Sequence, residues 1–285
     1  MLIPLKICAY LNILAYLVLP FSAFGVVGST THTSSANPAI TSDYTAHSLS
    51  SPFQTYDTYW QDQDVDVSCV QPNRKLLALT FDDAPASTLE EIVAVFLSYN
   101  QAHPDAPASA TIFCNGARIT AATAPAVAAA TALGFELGNH TQHHYDLSIL
   151  TREQVRQEIE RTDKLLYPFD KRHLHLLRAP YGKLSDDVRL TAKTPIIDWF
   201  IDTNDWTGIS EEEIYDAVWQ NKSDGAIVLM HDGYPNTVDA LKRLLPDLYK
   251  AGYQAVGVSQ MAKAHGCKLK VGCVYTRARK QGKKG

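Results

Sequence analysis

Two carboxylates, Asp82 and Asp83, follow directly on the run Leu76-Leu77-Ala78-Leu79-Thr80-Phe81. A run that apolar reads as a buried strand, and charges at its end are costly unless something pairs with them. A lone Asp-Asp pair more often caps a helix or binds an arginine than does chemistry, so the partners elsewhere in the chain decide. In Gly138-Asn139-His140-Thr141-Gln142-His143-His144 the imidazoles of His140 and His144 stand four apart and share one face if a helix begins there. Two imidazoles with one carboxylate make three protein ligands, the number that a catalytic zinc uses while keeping a position open. Asp83 supplies the carboxylate, and the adjacent His143 is an alternative ligand in a different geometry.

The remaining candidates are an acid, a base and the groups that tune them. Arg178, in Leu176-Leu177-Arg178-Ala179-Pro180-Tyr181-Gly182, is suited to pair with Asp82 and lower its pKa, while Pro180 keeps Ala179 out of the helical region. The backbone N–H of Tyr181 is then a candidate donor to a developing oxyanion. His231 follows the apolar run Ala226–Met230, with Leu229 two positions before it on the same strand face. Placed opposite Asp82, His231 would act as general acid, and Asp205 would orient and tune it. Trp206, next to Asp205, is expected as a buried wall of the pocket.

These residues need strands to carry them. Seven apolar runs qualify, at 76–81, 110–114, 135–138, 175–178, 195–201, 226–230 and 253–258. Helical patterns lie between them at 89–102, 121–133, 152–167, 211–221 and 238–251, and Thr151 and Ser210 are good N-caps before acidic first turns. The alternation predicts an α/β fold with a mainly parallel sheet, open or closed into a barrel. In either form functional residues collect at the carboxyl ends of the strands. Asp82-Asp83, the histidine cluster, Arg178, Asp205 and His231 each follow a strand.

The chain has 285 residues and a formal net charge of -4, which gives no basic field for nucleic acid. Residues 1–27 carry an apolar stretch after Lys6, broken by Asn12 and Pro20 and ending in small residues, as in a secretory signal; an uncleaved anchor is the alternative. Residues 28–58 are rich in Ser, Thr, Ala and Pro and read as a disordered spacer. A catalytic domain is expected over 59–265, and a basic, solvated tail over 266–285. Cys114 is expected as a buried thiol, and Cys69 is expected to bridge to Cys267, with Cys273 as the other choice, tying the ends of the domain together. Asn221-Lys222-Ser223 is a surface sequon, whereas Asn139-His140-Thr141 should be buried in the site.

Five stretches, "TFDDAP", "HTQHH", "RAPYG", "DTNDW" and "VLMHD", resemble in order and spacing the five motifs of the NodB-type polysaccharide deacetylases, carbohydrate esterase family four. The likeness covers about residues 69 to 260 and looks nearest to secreted fungal chitin deacetylases. It implies a distorted (β/α) barrel of about seven strands. It further implies a secreted, monomeric hydrolase that removes N-acetyl groups from chitin or its oligosaccharides, in the extracellular space or cell wall. By the resemblance, Asp82 is the base, Arg178 its positioning residue and Tyr181 the oxyanion donor. Asp83, His140 and His144 hold Zn2+ or another divalent ion such as Co2+. Asp205 and His231 form the acid pair, and Trp206 and Leu229 belong to the substrate pocket. The alternatives are an O-acetyl esterase on acetylxylan and an inactive wall-binding protein of the same fold. One departure stands out: Ala84 occupies the place where the family usually has glycine, and its methyl is expected to narrow the floor of the site.

Overall fold

The computed structural model describes residue 60 and residues 65–279. The expected signal and the spacer fall outside the described residues. Among the described residues no helix is long and apolar enough to cross a membrane.

Among the described residues nine strands form one sheet: β1 (Lys75–Ala84), β2 (Thr111–Cys114), β3 (Glu136–Asn139), β4 (Leu176–Leu177), β5 (Ile196–Ile197), β6 (Ile201–Asp202), β7 (Ala226–His231), β8 (Tyr253–Ala255) and β9 (Val274–Tyr275). Eight of them run in the order β6-β7-β1-β2-β3-β4-β5-β9, β8 pairs with β1 off this path, and every pairing between them is parallel. The sheet is curled, with helices packed on it, as in a distorted (β/α) barrel. Among the described residues seven α-helices accompany the strands: α1 (Leu89–Ala102), α2 (Ala124–Ala132), α3 (Arg152–Asp170), α4 (Asp186–Thr191), α5 (Glu211–Asn221), α6 (Pro235–Lys250) and α7 (Val258–Ala264).

β1 is central because both of its edges are used. β7 runs along one edge from Leu77 to Asp82. On the other, β8 pairs Lys75 to Leu77 and β2 takes over at Thr80. Its side chains alternate, as a strand requires. Leu77, Leu79 and Phe81 enter a core with Ile92 and Phe96 of α1 and Leu241 and Leu244 of α6. Leu76 and Ala78 face the other way, into a cluster with Phe113, Ile197, Val256 and Met261. Thr80 and Asp82 continue that second row, which brings a carboxylate to the inner side of the sheet.

The structure divides the expected strand at 195–201 into β5 and β6, which sit at opposite ends of the sheet order. Residues 198–200 therefore cross from one end to the other, with the Asp198 N–H donating to Tyr275 O (2.9 Å) and the Phe200 N–H to Ile227 O (2.9 Å). The boundary drawn at 265 also moves. Residues beyond it supply β9, and the Ala278 N–H donates to Gly225 O (2.9 Å), with Ala278 fully buried. The segment up to 279 is thus part of the barrel wall rather than a solvated tail, because β5 and β7 would otherwise lack a neighbour there.

The expected Cys69–Cys267 bridge is not formed; Cys267 and Cys273 are thiols, and Cys114 is a buried thiol as expected. Hydrogen bonds hold the two ends of the domain instead. Lys263 Nζ donates to Val65 O (2.7 Å), Gln260 Nε2 to Asp66 O (3.0 Å) and the Trp60 N–H to Leu269 O (2.8 Å). The helix starts at Thr151 and Ser210 are full capping boxes, closed by Gln154 and Glu213. The expected strand at 253–258 stops at Ala255, and α7 starts at Val258, because the Gly257 N–H is taken up by Ser109 Oγ and Gln260 Oε1.

Candidate functional site

The adjacency of Asp82 and Asp83 has a structural cause. Phe81 pairs with Ile112 and Ala84 with Cys114, so three steps on β1 answer two on β2, and the strand bulges at the two carboxylates. A bulge re-aims side chains that would otherwise alternate. Asp83 also takes φ 64°, a left-handed value rare outside glycine. Ala84 keeps an ordinary φ and buries its methyl in the core with Phe81 and Leu89. The expected narrowing of the site floor does not occur, since the strain lies at Asp83 and the Ala84 side chain points away from the cluster.

Three groups converge here. Ligand atoms of Asp83, His140 and His144 all lie within 4.8 Å of one another. His140 is buried, and its Nδ1 bonds Arg178 O (2.9 Å), which leaves Nε2 directed to the cluster, 3.6 Å from Asp82 Oδ2. His144 Nδ1 bonds the Tyr181 hydroxyl (3.2 Å), and its Nε2 lies 3.5 Å from Asp83 Oδ1. Burial and then the neighbouring His140 push the His144 pKa down, so the ring is neutral and fit to ligate. Asp83 Oδ1 is buried without a hydrogen-bond partner. An orphaned carboxylate oxygen facing two imidazole nitrogens suits a divalent cation.

His143, the alternative ligand, is committed elsewhere: its ring Nδ1 and backbone N–H both bond Glu158, at 2.7 and 2.8 Å. The histidines are not on a helix, contrary to the spacing argument. The loop instead bends through left-handed residues Thr141 (φ 68°) and His144 (φ 58°), and β2's exit braces it, the Gly116 N–H donating to Thr141 O (2.9 Å) and the Ala117 N–H to Gln142 O (2.8 Å). A methyl on Gly116 would crowd Gln142 Oε1 at 2.4 Å and the buried Thr162 Oγ1 at 2.6 Å, so a larger residue at that brace would have to displace both side chains.

Arg178 is the largest fully buried side chain. Its Nη1 donates to Asp82 Oδ1 and Thr80 Oγ1, both at 2.7 Å, its Nε to Ile197 O (2.9 Å) and its Nη2 to Asp198 O (3.3 Å). The guanidinium lies 4.1 Å over the Phe113 ring. Gly138 makes this possible, because a β-carbon there would meet that ring at 2.4 Å. Burial by itself would raise the Asp82 pKa, but Arg178, with His140 and His231, holds the carboxyl below its usual range.

Across β1, Asp82 pairs in register with His231 on β7. His231 Nδ1 bonds Asp205 Oδ1 (2.7 Å), and Asp205 Oδ2 accepts the His231 N–H (2.8 Å) and Thr237 Oγ1–H (2.7 Å). Burial opposes the charged ring, yet the Asp205 hydrogen bond and the nearby Asp82 carboxylate raise the His231 pKa overall. Its Nε2 is left as a donor.

The structure thus brings Asp82, Asp83, His140, His144, Arg178, Asp205 and His231 together. Tyr181 adjoins them through its hydroxyl, in a turn with φ 62° and a ring 63% exposed. Leu229 is buried, its carbonyl held by Thr203 Oγ1 (2.8 Å). Trp206 differs from expectation: it is 54% exposed, since the turn Asp205–Thr207 sends Asp205 inward and its neighbour outward. Two residues that sequence reasoning missed support the site. Asp232 is buried, accepts the N–H groups of Ala86 (2.5 Å) and Thr88 (3.0 Å), and so fixes the chain leaving Asp83; burial raises its pKa despite these bonds. Arg118 donates to Asp83 O (2.8 Å). Asp232 was legible as the acid after His231 in the sequence, whereas Arg118 had no signal.

The polysaccharide deacetylase family profile matches residues 70–195. The peptidoglycan-N-acetylglucosamine deacetylase of Bacillus cereus is 35% identical over 202 residues, covering 68% of this chain and 91% of that protein. The peptidoglycan-N-acetylmuramic acid deacetylase PdaC of Bacillus subtilis is 31% identical over 67% of this chain, which spans only 40% of that protein's length. A family 4 acetyl xylan esterase from Clostridium thermocellum, solved with a cobalt ion, superposes with a TM-score of 0.64 at 26% identity, over 71% of this chain and 98% of that one. These relatives are bacterial, and they do not show the expected nearness to fungal chitin deacetylases.

Proposed function

The chain belongs to the polysaccharide deacetylase family, and from that premise we propose that it hydrolyses N-acetyl groups from N-acetylglucosamine polymers such as chitin oligosaccharides, releasing acetate and a free amino sugar. The observation that carries this reading is the register of β1 with β7, which pairs Asp82 with His231 beside the three-ligand cluster and offers a carboxylate as base and an imidazole as acid. Asp83, His140 and His144 would hold a divalent ion, zinc or cobalt. When bound, that ion supplies Lewis acidity to the acetamide carbonyl and makes water a better nucleophile.

The chain's own residues do the rest. Asp82 Oδ1 is taken by Arg178, so Oδ2 is the atom that accepts the proton of the attacking water. As the new C–O bond forms, the Tyr181 N–H is the donor to the developing oxyanion. His231 Nε2 then gives its proton to the amine nitrogen as the C–N bond breaks, and Asp205 stabilises the imidazolium until that step. Trp206, exposed beside Asp205, meets the polymer rather than walling a buried pocket. Export, suggested by residues 1–27, fits a polymer outside the cell as substrate, and the protein is taken to act as a monomer.

A second reading, O-acetyl removal from xylan, is favoured by the likeness to the acetyl xylan esterase. The test is acetate release by the chelator-stripped protein before and after zinc is restored, from N-acetylglucosamine oligosaccharides and from acetylated xylan. Zinc-dependent release from the oligosaccharides supports the proposal. Release from xylan alone replaces it with the esterase, and stoichiometric zinc binding without release from either replaces it with a wall-binding role.

A further inference from the structure

Two exposed tyrosines flank His144. The Tyr181 ring is 4.7 Å from the His144 ring, edge to face, and belongs to the site already described. The other, Tyr145, has no part in the ligand cluster or the acid and base pairs. It is 53% exposed, and its ring stacks on His143 at 5.4 Å with an interplanar angle of 26°.

This surface pair is unusually well held. Glu158, buried on α3, places both carboxylate oxygens on His143, one on the backbone N–H and one on the ring Nδ1. With Nδ1 held by the carboxylate, Nε2 is the nitrogen that His143 has left for another hydrogen-bonding partner, and the ring orientation is fixed. On the other side of Tyr145, Asp146 accepts from Lys183 Nζ (2.8 Å), Ser148 N–H (3.0 Å) and Ser148 Oγ–H (2.6 Å). The backbone on both sides of the tyrosine is therefore pinned while its ring stays in water. Such rigidity does little for folding, since the ring is not buried, but it pre-organises a binding face. Tyrosine offers a large amphipathic contact area at low entropic cost, and a pyranose ring presents an apolar C–H face bordered by hydroxyls.

We propose that Tyr145 and His143 form a saccharide subsite beside the reacting centre. Tyr145 stacks on the pyranose next to the one that loses its acetyl group, and His143 Nε2 hydrogen-bonds one of that ring's hydroxyls. This rests on the reading of the site as a polysaccharide deacetylase, and it makes the enzyme select polymers over small acetylated compounds.

The test is steady-state acetate release by the full chain with zinc, on the N-acetylglucosamine tetramer and on a sugar-free aryl acetate. Tyr145→Ala should raise KM for the tetramer about fivefold, the size of a modest aromatic contact, with kcat and the aryl acetate kinetics close to wild type. Tyr145→Phe should restore the tetramer KM, because the ring face does the stacking. An unchanged tetramer KM, or an equal loss on both substrates, overturns the proposal. Calorimetric binding of the tetramer to Asp82→Asn, with and without Tyr145→Ala, separates the two readings. Tyr145-dependent binding in a chain whose parent releases no acetate would refute the deacetylase alone. Binding that ignores Tyr145 would refute the subsite.

Discussion

Replacing Arg178 by methionine tests the electrostatic logic of the site. The guanidinium is fully buried and reaches Asp82 at 2.7 Å, so its removal leaves a carboxylate in the barrel interior with its main counter-charge gone. Breaking a buried pair from one side costs about 3–5 kcal/mol. In a domain of this size that lowers Tm by roughly 6–20 °C. The loss should depend on pH, with a sign fixed by Asp82. In the wild type its folded pKa is depressed, so its contribution is present above the unfolded value and is lost as pH falls through the folded one. In Arg178→Met burial acts with less opposition and raises the folded pKa. The charged form then destabilises as pH rises through that value, and the gap from wild type narrows in acid. Urea unfolding of the metal-free protein at pH 4 and pH 7, in a cycle with Asp82→Asn, gives the coupling directly. Expected are a coupling above about 2 kcal/mol at pH 7 and a smaller one at pH 4. Additive effects of the two substitutions at pH 7 would refute the assignment of Arg178 as the group that keeps Asp82 ionised.

Three further outcomes are expected. Asp205→Asn removes the main support of the His231 imidazolium, so the basic limb of kcat/KM against pH should move to lower pH; an unmoved limb would separate Asp205 from the acid. Zinc at a hundred times its Kd should stabilise the protein by about 2.7 kcal/mol in thermal melts. That gain should persist in Asp82→Asn and vanish in Asp83→Ala, and the opposite pattern would exchange the two carboxylates' roles. His175 is buried against Asp163 (2.9 Å) and Asp170 (3.3 Å); burial opposes its charge, but the two carboxylates win and raise its pKa. Its contribution is complete below about pH 6.5 and is lost as pH rises through the folded value, so unfolding free energy should fall over that range in the wild type and not in His175→Gln.

The longer helices were legible because each buries one face, and the central strands because they are buried on both faces and read as continuous apolar runs. The periodic runs of α1 and α5 gave their bounds correctly, and Thr151 and Ser210 announced their helices through side-chain chemistry local to the sequence. What escaped depended on distant pairing. The run 195–201 looks like one strand, but its two ends join different neighbours, and only the closure of the sheet decides that. β9 is two residues among charged ones, stabilised by β5 rather than by its own pattern. α4 was missed although Ser185 caps it by accepting the Val188 N–H, a local signal that its short length obscured. In the site, residue types picked out the carboxylates, imidazoles and arginine that the structure gathers, since unpaired charges after strands demand partners. They did not reveal the bulge, the left-handed turns at Asp83 and His144, or the bracing by Glu158 and Asp232, which follow from backbone path.

The buried ionic groups also bear on the choice between an enzyme and a binding protein of the same fold. A buried ion pair is weak evidence for stability, because apolar residues of like volume often replace it at no cost. Arg178 with Asp82, and Asp205 with His231, are two such pairs within one sheet interior, and Asp83 leaves a buried oxygen with no hydrogen-bond partner. Three consecutive features of β1, namely the bulge, the positive φ and the orphaned carboxylate, all work against the strand's own stability. A saccharide-binding surface requires none of them, since exposed aromatics such as Trp206, Tyr181 and Tyr145 would be enough for it. The cost of that interior favours the proposed reading of the strand ends as a reacting centre over a saccharide-binding role confined to the rim.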